Sequence, residues 1–234
     1  MAAVYDDLQG DRETVNAVEF LVPLASGRPV LELGVGTGRV AIPLSARGIR
    51  VHGIDASPAM LDQLRSKPGA EKVVLTLGDF AKLDDVKRYS VVFALFGTIF
   101  CLTSQEAQVE CFRAAARALF DDGVFVVEAS VPDFSGFTRN QNVRLADLSL
   151  DRVTATFTQH DRATQTTSGQ NIMITESGIR LMPVHVRYAW PSELDLMAQL
   201  AGLQLRERWQ DWTRTPFVGE SQRHVSVFAK HAGA

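Results

Sequence analysis

The sequence predicts an α/β fold, a mostly parallel, doubly wound, seven-stranded sheet with a small antiparallel β insertion after strand five. Three observations lead there. β-rich runs alternate with helical periods up to Ala129, the pattern of a parallel sheet covered on both faces. The first such run, Val30 to Leu33, opens onto glycines at every second position, Gly34, Gly36 and Gly38. Over 151–190 the helical period gives way to alternation, the mark of antiparallel strands.

The elements follow in order. From Arg12 to Ala25 the apolar Val15, Val18, Leu21 and Val22 recur at helical spacing, and Ser26-Gly27-Arg28-Pro29 turns the chain into the first strand. After Gly38, the pattern Val40, Ile42, Leu44 up to Arg47-Gly48 reads as a helix ending in a glycine cap. A second strand from Arg50 to Ile54 ends on Asp55, and Ser57-Pro58 is an N-cap followed by proline at the first helical position. The third strand, Val73 to Leu77, stops at Gly78-Asp79-Phe80; the fourth, Ser90 to Phe96, stops at Gly97-Thr98. Thr103 and Glu106 form a capping box for a helix striped by Val109, Phe112, Ala116 and Leu119. Asp121-Asp122-Gly123 then turns into strand five, Val124 to Ala129.

Three alternating runs follow, carried by Val153, Ala155 and Phe157, by Ile172 and Ile174, and by Val184, Val186 and Tyr188. They predict an inserted antiparallel sheet over about 151–190, a substrate or dimer surface. Pro191-Ser192-Glu193 restarts a helix to Gly202, and strands at Leu203 to Asp211 and His224 to Lys230 complete the seven. No repeat or linker is visible, so residues 1–234 read as one domain with an insertion.

Composition narrows the function classes. A chain of 234 residues with 46% hydrophobic and 22% charged residues can bury a substantial core. A net charge of -3 argues against nucleic-acid or anionic-membrane partners, both of which need clustered positive charge. No apolar stretch approaches the roughly 20 residues of a membrane helix. The first residues, Met-Ala-Ala-Val-Tyr-Asp-Asp, are acidic where a secretory signal is basic, so a cytoplasmic protein is expected. Cys101 and Cys111 lack metal-ligand spacing and are expected buried and reduced; no metal site is expected.

The glycine run is the centre of the functional question. Glycine takes φ > 0 and lets a ligand lie against the backbone, and a loop of this kind at a helix start receives a phosphate or a nucleoside cofactor. A P-loop is excluded because no Gly-Lys-Ser/Thr sequence supplies the phosphate lysine. Gly36-Thr-Gly38-Arg-Val-Ala41 with Asp55, 17 residues past Gly38, fits a dinucleotide fingerprint ending in alanine. A nicotinamide-dependent oxidoreductase therefore stands as an alternative, although it leaves Glu32 and the Gly78-Asp79-Phe80 stop without a role.

Four segments together resemble a known family, the class I S-adenosylmethionine-dependent methyltransferases of the small-molecule type, which are Rossmann-like. Glu32-Leu-Gly34-Val-Gly36-Thr-Gly38 is similar to the motif that lies under the methionyl part of the cofactor. Gly53-Ile-Asp55-Ala56-Ser57 resembles the second-strand motif, whose acid accepts the ribose hydroxyls. Gly78-Asp79-Phe80 resembles the adenine-binding motif, and Phe93-Ala-Leu95-Phe96-Gly97-Thr98 the fourth-strand motif beside sulfonium and substrate. The resemblance implies S-adenosylmethionine as cofactor and Glu32, Gly34, Gly36, Gly38, Asp55, Ala56, Ser57, Asp79, Phe80, Leu95 and Phe96 as its binding residues. Chemistry agrees: Asp55 can accept two hydroxyl bonds, and Phe80, Phe96 and Phe100 offer π surface to adenine and the sulfonium.

The implied activity is in-line methyl transfer to N or O of a small-molecule metabolite, with no nucleic-acid or membrane partner and with a homodimer as a further option. A non-catalytic S-adenosylmethionine-binding interaction protein is the alternative from another class. Proton transfer is needed only where the acceptor enters protonated. His185 is the first histidine candidate for it, and Tyr5, in a segment that can fold over the cofactor, is the second catalytic candidate. Phe100, Phe134, Arg139 and Arg187 are the substrate-binding candidates, because the stretch after strand five and the insertion adjoin the expected pocket. Trp190, Trp209 and Trp212 are expected to pack the insertion against the sheet.

Overall fold

The computed structural model describes residues 11–84 and 86–230; Tyr5 lies outside them. Helix α1 (Asp11–Ala25) precedes strand β1 (Val30–Leu33), then α2 (Ala41–Ala46), β2 (Val51–Asp55), α3 (Pro58–Arg65), β3 (Val73–Leu77) and β4 (Tyr89–Ala94). Helix α4 (Gln105–Ala118) leads to β5 (Leu119–Ser130). Strands β6 (Gln141–Leu148), β7 (Arg152–Asp161), β8 (Thr166–Thr175) and β9 (Gly178–Arg187) come next, followed by α5 (Pro191–Leu200), β10 (Leu203–Trp209) and β11 (Arg223–Lys230).

Seven strands form one sheet in the order β10-β11-β5-β4-β1-β2-β3. Strands β1 to β5 are parallel, while β11 runs antiparallel to both β5 and β10. The chain winds from β1 outward to β3 and then returns to the other side of β1 with β4. Ligands settle at such a reversal point, beyond the C-terminal ends of the strands.

Strand residues alternate between two buried layers, as the pleat requires. Leu31, Leu33, Val92, Phe125 and Val127 pack with Phe112 of α4 and Leu194 of α5. Val30, Val91, Phe93, Val124 and Val126 pack with Phe20 of α1, Leu44 of α2 and Leu61 of α3. The buried stripe of α1 is Ala17, Val18, Phe20 and Leu21; Val15, expected on it, lies on the flank and is exposed. Trp212 packs edge-on against Phe20, with centroids 5.5 Å apart, so it seals α1 rather than the insertion, and Trp190 is exposed.

Three boundaries differ from the sequence expectation. Helix α4 is capped by Ser104, whose Oγ accepts the Ala107 amide at 3.1 Å, one residue after the expected Thr103. Strand β5 begins at Leu119, and its pairing with β4 jumps from Leu119–Tyr89 to Val124–Val91. The intervening bulge is held by ion pairs, Asp121 to Lys87 at 2.9 Å and Asp122 to Arg28. The second sheet, β6-β7-β8-β9, is fully antiparallel and starts at Gln141, a strand earlier than expected. A register shift between Leu145 and Asp147 interrupts the alternation that would have revealed β6. Cys101, expected buried, is exposed. Among the described residues no helix is long and apolar enough to cross a membrane.

Candidate active site

The three glycines after β1 all have positive φ, at 67°, 55° and 82° for Gly34, Gly36 and Gly38. Their surroundings differ. A Cβ on Gly34 would meet Thr98 Cγ2 at 2.5 Å, and one on Gly38 would meet Leu64 at 2.7 Å. At Gly36 the nearest atom among the described residues would be 3.9 Å away, so a ligand can approach this turn closely. Backbone bonds from Gly34 and Val35 to the Ile54 carbonyl tie the loop to the end of β2.

Asp55 ends β2 and fixes the loop from the other side. Its Oδ2 accepts the Gly36 amide and its Oδ1 the Ser57 amide, each at 2.8 Å. Each oxygen keeps a further lone pair, so an immobilised carboxylate is available to two hydroxyl donors. Ala56 is exposed beside it, and Ser57 caps α3 by accepting the Met60 amide at 3.4 Å. At the end of β3, Asp79 Oδ1 accepts the Ala81 amide at 3.0 Å, while Phe80 is buried in the core below.

Buried acidic side chains gather where β1 and β5 end. Burial raises the Glu32 carboxyl to about 8, opposed by Arg39 and the Ala41 amide, and Glu32 Oε2 has no hydrogen-bond partner among the described residues. An orphaned buried carboxyl oxygen beside an open glycine turn suits a polar, cation-bearing ligand. Arg39 lies 3.5 Å from the centroid of the Phe96 ring, which itself sits at φ 55°. The Phe96 amide donates to Glu128, whose carboxyl burial raises to about 7. Leu95, next to Phe96, is buried. Together the groups offer acceptor oxygens to a diol at Asp55, a buried acid to a cation at Glu32, and apolar surface at Phe96.

A cavity of about 410 Å³ opens beyond the end of β5. Phe100, Phe134, Phe137 and Tyr188 give it aromatic walls, and Thr156, Thr158, Asn142, Asp133 and Arg144 give it polar ones. Phe100 and Phe134, both expected on the substrate side, are brought together here.

The other substrate-side candidates are placed elsewhere. Arg187 is buried, with its guanidinium on Gln108 at 2.6 Å, Gln165 at 2.9 Å and Glu193 at 2.7 Å. That network joins β9 to α4 and α5, so Arg187 fastens the second sheet and does not reach the cavity. His185 is exposed, bonded to Ser168 at 2.7 Å, on the strand face opposite the cavity-lining Val186. Arg139 is exposed at φ 51° and is not a cavity wall. Phe137, expected with Phe134 as a wall, is in place; missed from sequence were Tyr188 and, behind it, His160. The only signal was that Tyr188 continues the Val184, Val186 alternation. Among the described residues no cluster of three His, Cys, Asp or Glu could hold a metal ion.

Residues 30–123 match the family described as methyltransferase domain. The chain is 28% identical over 207 residues to the cypemycin N-terminal methyltransferase of a Streptomyces species, covering 87% of this chain and 84% of that protein. It is 45% identical to the CcbJ methyltransferase from Streptomyces caelestis, covering 99% of this chain and 96% of that one, with a TM-score of 0.92. Its fold also matches S-adenosylmethionine-bound CalS10, an amino pentose methyltransferase from Micromonospora echinaspora, at a TM-score of 0.70, 20% identity and coverage of 97% and 94%. The chain belongs to the class I S-adenosylmethionine-dependent methyltransferases, and S-adenosylmethionine is its cofactor.

Proposed function

We propose that the protein methylates an amine, or failing that a hydroxyl, of a small-molecule acceptor bound in the cavity beyond β5. The observation that carries this reading is the cavity itself: about 410 Å³, aromatic on one side and hydroxyl-lined on the other, at the end of a strand of the cofactor sheet. The cypemycin enzyme, named for an N-terminal methylation, favours nitrogen. A net charge of -3 supports a small acceptor over nucleic acid.

S-adenosylmethionine, when bound, supplies an electrophilic methyl group. In this reading Glu32, Gly34, Gly36 and Gly38 hold its methionyl part, Asp55, Ala56 and Ser57 its ribose, Asp79 and Phe80 its adenine, and Leu95 and Phe96 flank the sulfonium. The chain's contribution is alignment and exclusion of water, which suffices for an in-line displacement when the nucleophile arrives neutral. Phe100 and Phe134 wall the acceptor side. The outer face of the second sheet carries Val143, Leu145, Phe157, Ile179 and Leu181, all exposed, and in this reading it meets a second copy of the chain. Light scattering that gives a monomer mass would remove that last element.

The test is incubation with S-adenosylmethionine and a panel of small amines and alcohols, read by mass spectrometry for products heavier by one methylene. Formation of the demethylated cofactor without a methylated acceptor across the panel would count against the small-molecule reading.

A further inference from the structure

His160 and Tyr188 form a dyad at the cavity wall. His160, on β7, is 6% exposed, and its Nε2 lies 2.9 Å from the Tyr188 hydroxyl. The ring stacks on Phe134, with centroids 4.0 Å apart and planes at 6°, and meets Phe137 edge-on at 5.7 Å. Phe134, Phe137 and Tyr188 line the cavity; His160 stands behind all three.

Packing alone does not explain a histidine here. A phenylalanine would give the same stack without burying polar nitrogens, and the His160 Nδ1 is buried with no partner among the described residues. What the imidazole adds is the bond to Tyr188. Burial, then Arg162, holds the His160 pKa below its usual range, so the ring is neutral and serves as a hydrogen-bond partner rather than a proton sink.

We propose that Tyr188 binds the nucleophile-bearing group of the methyl acceptor through its hydroxyl oxygen, and that His160 is the positioning residue that fixes that hydroxyl. This rests on the acceptor reading above. A neutral imidazole either accepts the Tyr188 proton or donates its own, and the phenol oxygen carries two lone pairs. In both arrangements at least one lone pair remains for an N–H or O–H of the acceptor. With a neutral acceptor such a contact holds one hydrogen and leaves the nucleophile's lone pair free to attack the methyl carbon; the C–S bond breaks to release the demethylated cofactor, and the methylated nucleophile's surplus proton passes to solvent. The His160 ring restrains both the phenol and Phe134, so the wall is set before the acceptor arrives.

The experiment uses the full chain with benzylamine and benzyl alcohol as acceptor probes, following the demethylated cofactor product. Tyr188→Phe is expected to raise KM for the accepted probe about tenfold, with affinity for the demethylated cofactor unchanged in calorimetry. His160→Phe, which keeps the stack, is expected to raise KM equally. The double variant should be no worse than either single one, and His160→Gln should recover part of the loss. If His160→Phe fails to fold, ¹⁵N spectra carry the test: the His160 Nε2 resonance must move on Tyr188→Phe. An unchanged KM in Tyr188→Phe, additive losses in the double variant, or no turnover of either probe by the wild type overturns the assignment. Methylation of the alcohol alone, with Tyr188→Phe still raising its KM, leaves the dyad's role standing and removes the nitrogen reading.

Discussion

The Gly36 amide donates to Asp55 Oδ2 at 2.8 Å, so the turn after β1 and the acid after β2 are one rigid unit. The second oxygen of Asp55 is engaged by Ser57, which leaves the carboxylate no freedom to rotate. Asp55→Ala is therefore expected to act twice. Loss of the acceptor oxygens weakens binding of the demethylated cofactor by about 1–3 kcal/mol, and the released amides lower thermal stability as well. Calorimetry and a melting curve on the same variant separate the effects; unchanged affinity would remove Asp55 from the ribose site.

Glycine substitutions distinguish a packed turn from a ligand-facing one. Gly36→Ala places a Cβ that meets nothing closer than 3.9 Å among the described residues, so the free protein is expected to lose the positive-φ cost of about 1–2 kcal/mol. Cofactor binding is expected to suffer far more than stability. At Gly34 the order reverses: the added methyl meets Thr98 Cγ2 at 2.5 Å, and overpacking costs roughly a further 1–3 kcal/mol in the free protein. Denaturation midpoints for both variants, set beside their calorimetric affinities, check the contrast.

Glu128 gives stability a pH dependence of defined sign. Burial raises its carboxyl from 4.5 to about 7, so the folded chain holds a proton that the unfolded chain has released between those values. This contribution is full below pH 4.5 and is lost as pH rises through about 7. Glu32, raised to about 8, acts in the same direction over a wider window. Glu128→Gln keeps an oxygen for the Phe96 amide and removes the titration. It is expected to flatten the fall in melting temperature between pH 5 and 8; an unaltered profile would place the dependence elsewhere.

What could be read from the sequence was local. Gly34, Gly36, Gly38 and Asp55 announce themselves because a turn needing φ > 0 and an acid ending a strand are decided within a few residues. Ser57-Pro58 fixes the start of α3 for the same reason. His160 and Tyr188 meet only because the register of β7, β8 and β9 places them together, and their separation of 28 residues carries no motif. The bulges in β5 and β6 were hidden likewise, since a bulge is defined by the partner strand. Arg187 was misplaced because two of its three partners are remote in sequence, Gln108 by 79 residues and Gln165 by 22.

Arg187 yields the last prediction. Its guanidinium is 4% exposed and satisfies Gln108, Gln165 and Glu193 at once, while Gln108 Nε2 also donates to the Arg187 carbonyl at 2.8 Å. Arg187→Met preserves bulk but leaves the Glu193 carboxylate and the Gln108 amide without their cation. Removing one partner of a buried pair costs about 3–5 kcal/mol, well above the worth of a surface bridge. The variant should melt markedly lower, yet at temperatures where it is folded its affinity for the demethylated cofactor should match the wild type, because Arg187 does not reach the cavity. Arg187→Met with Glu193→Leu removes both charges and should recover much of the stability. Parallel melting curves and calorimetry decide it: a melting point unchanged in Arg187→Met, or an acceptor KM raised in proportion to nothing else, would return Arg187 to the substrate side.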